Sequence, residues 1–311
     1  MLNAIKKSIT LRFVWRTLLA IAGGILSSLA FPRENIWPLI FVAIAMLLLS
    51  VYRLKPLAAL SIGFVGGLAF YLSQIEWLSL YLGPVPWFAL SILEAFIFAI
   101  GMVAIALVWN FLEHSIPKGT AVRSLLIAGS IAIIWTAREW VSITLPYGGF
   151  PWSRLAQTQS DSFLAKWVFW GGLGWLTLAV AFLSAMAAVS LTSRNMARFS
   201  FSVQRVPALI AVLLVLLIPA ITVINSGPES GTLRVGAVQG NANAGLFSNA
   251  VRGSILQNHL DASLLLEGKN PDVVVWPENA SDLSPFASEI AKSKIQEFVN
   301  EEIKVPLEIG R

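Results

Sequence analysis

Glu278 occupies the position in this chain that is most typical of a catalytic carboxylate. It follows the apolar run Val273–Trp276 and the strand-ending Pro277. In α/β sheets, side chains just beyond the carboxyl ends of strands line the ligand crevice. A carboxylate there, beside an indole, would be partly desolvated and therefore suited to act as a general base. The spacing alone also allows a solvated loop glutamate.

Other polar residues give weaker indications of chemistry. Gln239-Gly240-Asn241 ends another predicted strand and could direct two amides into the same crevice, or simply form a turn. Glu94 lies inside a long apolar run, where a charge is costly and often functional. A neutral carboxyl hydrogen-bonded between helices is the other interpretation. His114 and His259 have no partner at metal-ligand spacing, so we assign no metal site.

The composition indicates a membrane environment for much of the chain. Hydrophobic residues make up 56% of the 311 residues and charged residues 13%, and the mean hydropathy is +0.73. Soluble domains carry about 25% charged residues. The net charge of +5 fits basic loops beside a bilayer, and no basic run interleaved with aromatics indicates a nucleic-acid partner. The absence of cysteine excludes disulfides and thiol nucleophiles from this sequence.

The apolar runs predict about seven membrane spans in a transmembrane domain at 1–225. A spanning helix needs about 20 mainly apolar residues to cross a hydrocarbon core of about 30 Å. The sixth run is long enough to hold an interfacial or re-entrant turn before its span. The predicted spans are Phe13–Ala30, Ile36–Tyr52, Leu57–Ile75, Val85–Leu112, Ala121–Ala137, Phe163–Leu191 and Val206–Ile224.

Lysine and arginine collect in alternate loops, and this bias predicts the orientation. The enriched loops precede the first span and follow the second, fourth and sixth. Their basic residues are Lys6, Lys7, Arg12, Arg53, Lys55, Lys118, Arg123, Arg194, Arg198 and Arg205. The N-terminus is therefore predicted to be cytoplasmic, and the chain after the seventh span is predicted to lie outside.

The remaining chain predicts the start of an α/β domain. A Gly-, Pro- and Ser-rich linker at 226–232 precedes a segment at 233–311 that alternates strands and helices. The predicted order is strand Leu233–Gln239, helix Ile255–Leu266, strand Asp272–Trp276, helix Ser288–Glu302 and strand Val305–Ile309. The fold class is thus a polytopic α-helical membrane bundle followed by an incomplete α/β domain.

Several motifs resemble those of the apolipoprotein N-acyltransferase family, in the same order over nearly the whole chain. The segment Asp272–Ala280 resembles the signature around the family's catalytic glutamate, and Val235–Asn241 resembles the first strand of its nitrilase-like domain. Three membrane motifs are also similar. The first hairpin contains Leu29–Pro32 and Trp37–Leu39, and the third span contains Gly63, Gly66 and Gly67 and is followed by Trp77. The external loop contains Arg138–Trp140 and Gly149–Trp152, followed by Gln157 or Gln159.

The resemblance implies a nitrilase-like α-β-β-α fold and a Glu-Lys-Cys triad on the extracytoplasmic side of a bacterial cytoplasmic membrane. The cysteine takes an acyl chain from a phospholipid and passes it to the α-amine of a diacylglyceryl-modified apolipoprotein. Glu278 would be the general base, with no cofactor and no metal, in a monomer embedded in the lipid bilayer. The candidate substrate-binding residues are Gln239, Asn241, Phe247, Trp276 and Trp152.

The sequence departs from the family pattern at its end, because Arg311 precedes the triad lysine and cysteine and the closing span. We therefore expect a C-terminally truncated member that is inactive as written. Two other functions fit parts of the pattern. One is a membrane-anchored carbon–nitrogen hydrolase, which uses the same triad. The other is a transporter or non-catalytic membrane scaffold, for which Glu94 is the only support.

Overall fold

The structure is a computed structural model that describes residues 2–117, 121–192, 206–224, 231–242 and 251–310. It divides into two compact units, the first made of 1–79 and 83–224 and the second of 225–311 together with Leu80–Leu82. Most of the predicted linker at 226–232 lies outside the described residues. The same holds for Lys118 and for the basic residues at 194, 198 and 205.

The first unit is helical throughout its described part. Two 3-10 helices, Leu155–Gln159 and Phe163–Lys166, lie before the seventh α-helix. The α-helices are α1 (Leu2–Ser28), α2 (Leu39–Val51), α3 (Pro56–Gln74), α4 (Trp77–Leu82), α5 (Pro84–Ser115), α6 (Ala121–Ser142), α7 (Trp167–Thr192) and α8 (Val206–Ile221).

Within the described residues, five segments are long and apolar enough to cross a bilayer. They are Leu11–Ser28, Pro56–Gln74, Pro84–Ser115, Val122–Ser142 and Phe163–Thr192. The helices α2 and α8 are apolar but shorter. The 13 residues of α2 extend about 20 Å, less than a hydrocarbon core of about 30 Å. The chain is a multi-pass membrane protein, and its total of seven spans stays a prediction.

The sixth predicted span contains a break in its backbone. Gly171 and Gly172 have non-helical dihedrals, with φ of 67° at Gly172, and glycine adopts such a conformation at little cost. The residues before the break contact α8, where Pro219 has no N–H to donate to the carbonyl of Val215. The indole of Trp167 donates to that carbonyl at 2.9 Å. A tryptophan thus satisfies the acceptor that the proline leaves free.

Small residues let α3 and α5 approach closely. A Cβ on Gly63 would lie 2.8 Å from the Cβ of Met102, and a Cβ on Gly67 would lie 2.9 Å from Phe98. Close contact between backbones is the usual way in which membrane helices associate, because lipid tails provide no hydrophobic driving force. The ring of Phe98 also packs edge-on against Trp135 of α6 at 5.4 Å. The glycines of the third span therefore serve helix packing.

The buried carboxylate of Glu94 has partners on neighbouring helices. It accepts a hydrogen bond from Ser142 at 2.5 Å, and Arg138 acts on it electrostatically. Arg138 also donates to the hydroxyl of Tyr71 at 3.2 Å, and its guanidinium lies over the ring of Trp135 at 4.8 Å. Glu94 is thus part of a polar cluster that joins α3, α5 and α6, which supports the interhelical interpretation of this residue.

Contacts between loops group them at the two ends of the bundle. At one end, Glu113 forms ion pairs with Arg53 and Arg123, which follow the second and fourth predicted spans. Its carboxylate raises the pKa of Arg53 by hydrogen bonding. Asn35 and Asp161, which follow the first and fifth predicted spans, are hydrogen-bonded to each other. The two contacts are consistent with a chain whose successive loops alternate between the two sides of the membrane.

The second unit contains a three-stranded parallel sheet in the order β1-β2-β3. Its elements are β1 (Val235–Ala237), α9 (Ser254–Ser263), β2 (Val273–Trp276), α10 (Glu289–Glu297) and β3 (Leu307–Ile309). A 3-10 turn at Leu264–Leu266 follows α9, and a π-helix at Phe298–Ile303 follows α10. The predicted alternation of strands and helices is present, with each strand shorter than predicted. The nitrilase-like assignment stays a prediction.

Removal of the Arg138 guanidinium should destabilise the first unit, because the buried hydroxyl of Tyr71 loses a hydrogen-bond donor and the rings of Phe98 and Trp135 lose a contact. We expect Arg138→Met to lower the free energy of unfolding in detergent micelles by about 1–3 kcal/mol, as monitored by far-UV circular dichroism. Arg33→Met is the control, because the Arg33 side chain is 84% exposed.

An Arg138→Met variant as stable as the unchanged protein would show that these contacts of Arg138 do not contribute to the stability of the bundle.

Candidate functional site

The candidate site lies where the parallel strands of the second unit end. Gln239 and Asn241 follow β1, Glu278 follows β2, and Gly310 follows β3. Ala237 is opposite Val275 in the sheet, and the amide of Val238 donates to the carbonyl of Val275 at 3.0 Å. The chain after β1 therefore still runs beside β2 at Val238, directly before Gln239. Glu278 follows the central strand, between the two flanking segments.

The polar side chains at this edge are open to solvent. Glu278, Gln239 and Asn241 are all exposed, and no ion pair in the described part of the chain includes Glu278. Asn241 has a φ of 61°, a left-handed conformation that asparagine tolerates better than most residues. Its carbonyl accepts a hydrogen bond from Asn258 of α9 at 3.2 Å. The turn after β1 is thus fixed to the neighbouring helix.

Backbone contact holds the glutamate segment on its other side. The amide of Gly310 donates to the carbonyl of Trp276 at 3.0 Å. A Cβ on Gly310 would lie 2.6 Å from the amide nitrogen of Glu278 and 2.8 Å from the carbonyl carbon of Pro277. Only a residue without a side chain fits there undistorted. Gly310 could not be identified from the sequence, because a lone glycine near a predicted strand has no distinctive spacing.

Trp276 lies in the core of the second unit and not at its edge. Its side chain is fully buried, its indole donates to the hydroxyl of Ser263 at 2.8 Å, and its ring packs against Phe298. The expectation that this indole desolvates Glu278 does not hold in the structure. The strand ends at Trp276, so the alternation that turns the indole inward does not continue to Glu278. Trp276 supports the strand that carries the carboxylate.

An aspartate that the sequence analysis missed also supports this region. Asp282 accepts hydrogen bonds from the amides of Gly253 at 2.5 Å and Leu256 at 3.3 Å. These amides lie at the N-terminal end of α9, where backbone donors have no partner within the helix. The aspartate thereby joins the segment after Glu278 to α9. It is 29 residues from Gly253, so no local sequence pattern indicates the contact.

The remaining two candidates do not lie at this edge. Phe247 lies outside the described residues. Trp152 belongs to the first unit, where it is 47% exposed and its ring lies 5.0 Å from that of Trp77. Its loop turns at Gly149, whose φ is 72° and where a Cβ would lie 2.1 Å from the carbonyl carbon of Ile143. Glycine is required at that position.

The loop that carries Trp152 is anchored by a buried carboxylate. Glu139 of α6 accepts hydrogen bonds from the amide of Leu155 at 2.8 Å and the hydroxyl of Thr177 at 2.6 Å. Arg154 lies 3.8 Å from the same carboxylate. The interaction joins the end of α6, the loop and α7. The Arg138–Trp140 motif therefore positions the loop that carries the Gly149–Trp152 motif.

A methyl group at position 310 should disturb the segment that carries Glu278. We expect Gly310→Ala to destabilise the second unit by about 1–3 kcal/mol, a typical cost of overpacking. Hydrogen exchange at the amides of Val274 and Gly310 should become faster. Gly174→Ala is the control, because its Cβ would meet nothing within 4 Å. Unchanged exchange in Gly310→Ala would contradict the described backbone contact.

Comparison with known proteins agrees with the motifs. The family model of the apolipoprotein N-acyltransferase N-terminal domain matches residues 23–186. Apolipoprotein N-acyltransferase of Azotobacter vinelandii is 31% identical over 286 residues, which cover 85% of this chain and 50% of that protein. The Coxiella burnetii protein of the same name is 28% identical, with 86% of this chain and 54% of that protein covered.

The apolipoprotein N-acyltransferase of Photobacterium profundum is 27% identical over 274 residues, with 85% of this chain and 50% of that protein covered. The chain spans about half the length of the curated relatives it matches. The family model alone covers more than half of the chain, from the end of α1 into α7. On this evidence, the chain belongs to the apolipoprotein N-acyltransferase family.

Proposed function

We propose that this chain supplies the membrane domain and the general base of an apolipoprotein N-acyltransferase. The enzyme would move an acyl chain from a phospholipid to the α-amine of the lipid-modified N-terminal cysteine of a lipoprotein. The observation that carries the proposal is the position of Glu278, directly after the central strand of a parallel sheet, in a chain of this family. A ligand crevice is expected at such an edge.

In the first half-reaction, the carboxylate of Glu278 accepts the proton of a cysteine thiol. The thiolate attacks an ester carbonyl of the phospholipid, and the bond from that carbon to the glycerol oxygen breaks. The oxygen leaves with a proton, which gives a lysophospholipid, and the acyl chain stays on sulfur as a thioester. Covalent catalysis divides one difficult transfer into two easier steps.

In the second half-reaction, Glu278 accepts a proton from the α-amine of the acceptor. The amine nitrogen attacks the thioester carbonyl, the carbon–sulfur bond breaks, and an amide forms. The thiol is restored by the proton that the carboxylate holds. One exposed glutamate at a sheet edge could serve both steps, because each step requires a base of the same kind in the same place.

The nucleophile of this reaction is not among the residues of the chain, since the sequence contains no cysteine. We propose that the triad cysteine and lysine belong to the part of the family's length that this chain does not span. Gln239 and Asn241 are proposed to bind substrate at the edge of the sheet. Trp152, in a loop of the membrane unit, is proposed separately as a substrate-binding residue. Phe247 remains a candidate for the same role.

The site would lie on the outer face of a bacterial cytoplasmic membrane. The basic residues at one end of the bundle, Arg53 and Arg123 among them, support a cytoplasmic position for that end. With a cytoplasmic N-terminus, the second unit follows the last predicted span on the outside. We propose a nitrilase-like fold for this unit and a monomer that needs no cofactor. The family match over the helical region favours this function over that of a simply anchored hydrolase.

Loss of the Glu278 carboxylate should abolish acyl transfer. The test uses a chimera in which this chain replaces the matching half of the Azotobacter vinelandii relative. Glu278→Gln keeps the shape of the side chain and removes its basicity, so the rate should fall roughly 100- to 10,000-fold. The rate is measured by mass spectrometry of a diacylglyceryl lipopeptide incubated with phospholipid.

Glu289→Gln is the matched control, because that glutamate is also in the second unit and its side chain is 91% exposed. An active chimera that retains its rate in Glu278→Gln would refute the assignment of the base.

The proposed orientation can be tested with single cysteines, since these 311 residues contain none. Lys55 and Ser160 are both exposed in the first unit. We expect a membrane-impermeant maleimide to label Ser160→Cys in intact cells, and to label Lys55→Cys only after lysis. The opposite pattern would invert the proposed topology.

A further inference from the structure

An apolar cavity of about 220 Å³ opens in the first unit between α2, α7, α8 and the 3-10 turn before α7. Its lining consists of Trp37, Phe41, Phe163, Leu164, Leu183 and Leu216. Apart from the indole N–H of Trp37, these side chains offer water no hydrogen-bond partner, and apolar cavities bind apolar molecules. In a membrane protein the available apolar material is the hydrocarbon of the bilayer.

A half-buried lysine follows two of the lining residues in the chain. Lys166 ends the same 3-10 turn that contributes Phe163 and Leu164 to the lining. Its Nζ donates to the carbonyl of Thr222 at 3.0 Å. No ion pair in the described part of the chain includes Lys166. An ammonium group has three donors, so its charge and its remaining donors suit an anionic oxygen.

The spacing of the ammonium group and the cavity matches an amphipathic ligand. Thr222 follows Leu216 by six residues, and its amide still donates to the carbonyl of Ile218 in helical fashion at 3.0 Å. Six residues correspond to roughly 9 Å along a helix. The indole of Trp170 donates to the hydroxyl of Thr222 at 3.1 Å. Polar groups therefore collect at one end of α8, and the apolar cavity lies one to two turns away.

We propose that this cavity and Lys166 form a site for one resident phospholipid of the bilayer. An acyl chain would fill the cavity, and the phosphate would accept hydrogen bonds from the Lys166 ammonium. The charge of Lys166 favours a phospholipid over a second copy of the protein. An apolar side chain from a second copy would leave the ammonium without an anion. No bond of the lipid is broken at this site, so the proposal does not depend on the proposed reaction.

The test uses the full 311-residue chain in phosphatidylcholine nanodiscs. The probe is phosphatidylglycerol with a photoreactive diazirine in one acyl chain, and mass spectrometry maps the crosslinks after irradiation. We expect crosslinks at Phe163, Leu164 and Leu216 to exceed those at exposed positions of α5 such as Ile100 and Phe111. Equal labelling at all these positions would show ordinary lipid contact and overturn the proposal.

Two variants with matched controls test the two parts of the site. Leu216→Trp should fill the cavity and remove the excess labelling at Phe163 and Leu164. Leu217→Trp should not, because Leu217 is exposed on the lipid side of the same helix. Lys166→Gln should lower crosslinking by about fivefold, the effect expected for one basic residue on an anionic lipid, and Lys55→Gln should have no effect.

Far-UV circular dichroism and gel filtration check that each variant folds, and Leu183→Trp replaces Leu216→Trp if the latter does not. Labelling that persists in a folded cavity-filling variant would contradict the site. Labelling that is unaffected by Lys166→Gln would contradict the phosphate contact and with it the proposal.

Discussion

The buried contacts of two adjacent polar side chains at the end of α6, Arg138 and Glu139, are the constraint on which the membrane unit depends. An unpaired charge within a membrane bundle is costly, and neighbouring positions on a helix face different directions. Arg138 therefore meets Tyr71 and the rings of Phe98 and Trp135, whereas Glu139 meets α7 and the following loop. The end of α6 is held on both sides, and each contact fixes an element that is distant in sequence.

Polar contacts also support the candidate residues within each unit. In the first unit, a carboxylate positions the loop that presents Trp152. In the second unit, the hydrogen bond from Trp276 to Ser263 fixes the end of the central strand, and Asp282 holds the following segment to α9. Glu278 remains exposed between these supports. Hydrogen-bonded side chains thus hold the segments that carry the residues proposed to bind and react, as a functional site requires.

The sequence predicted the features that depend on local composition. Apolar runs and the alternation of strands and helices are local patterns, so most long helices of the first unit and the succession of strands and helices in the second were predicted. The short helix α4 was not predicted, and α1 begins well before the predicted first span. The partners of Glu94 and Glu139 could not be predicted, because they come from helices distant in the chain. The inward direction of Trp276 was also missed, since a run of three valines before it shows no alternation. Gly310 needed the structure, because its role lies in the backbone it approaches.

The role of Glu278 as the base of a covalent acyl transfer is tested most directly by the mass of the chimeric enzyme after incubation with phospholipid in the absence of acceptor. We expect the protein to gain the mass of one acyl chain, hydroxylamine to remove it, and Glu278→Gln to prevent its formation. An adduct that forms at the same rate in Glu278→Gln would show that Glu278 is not the base.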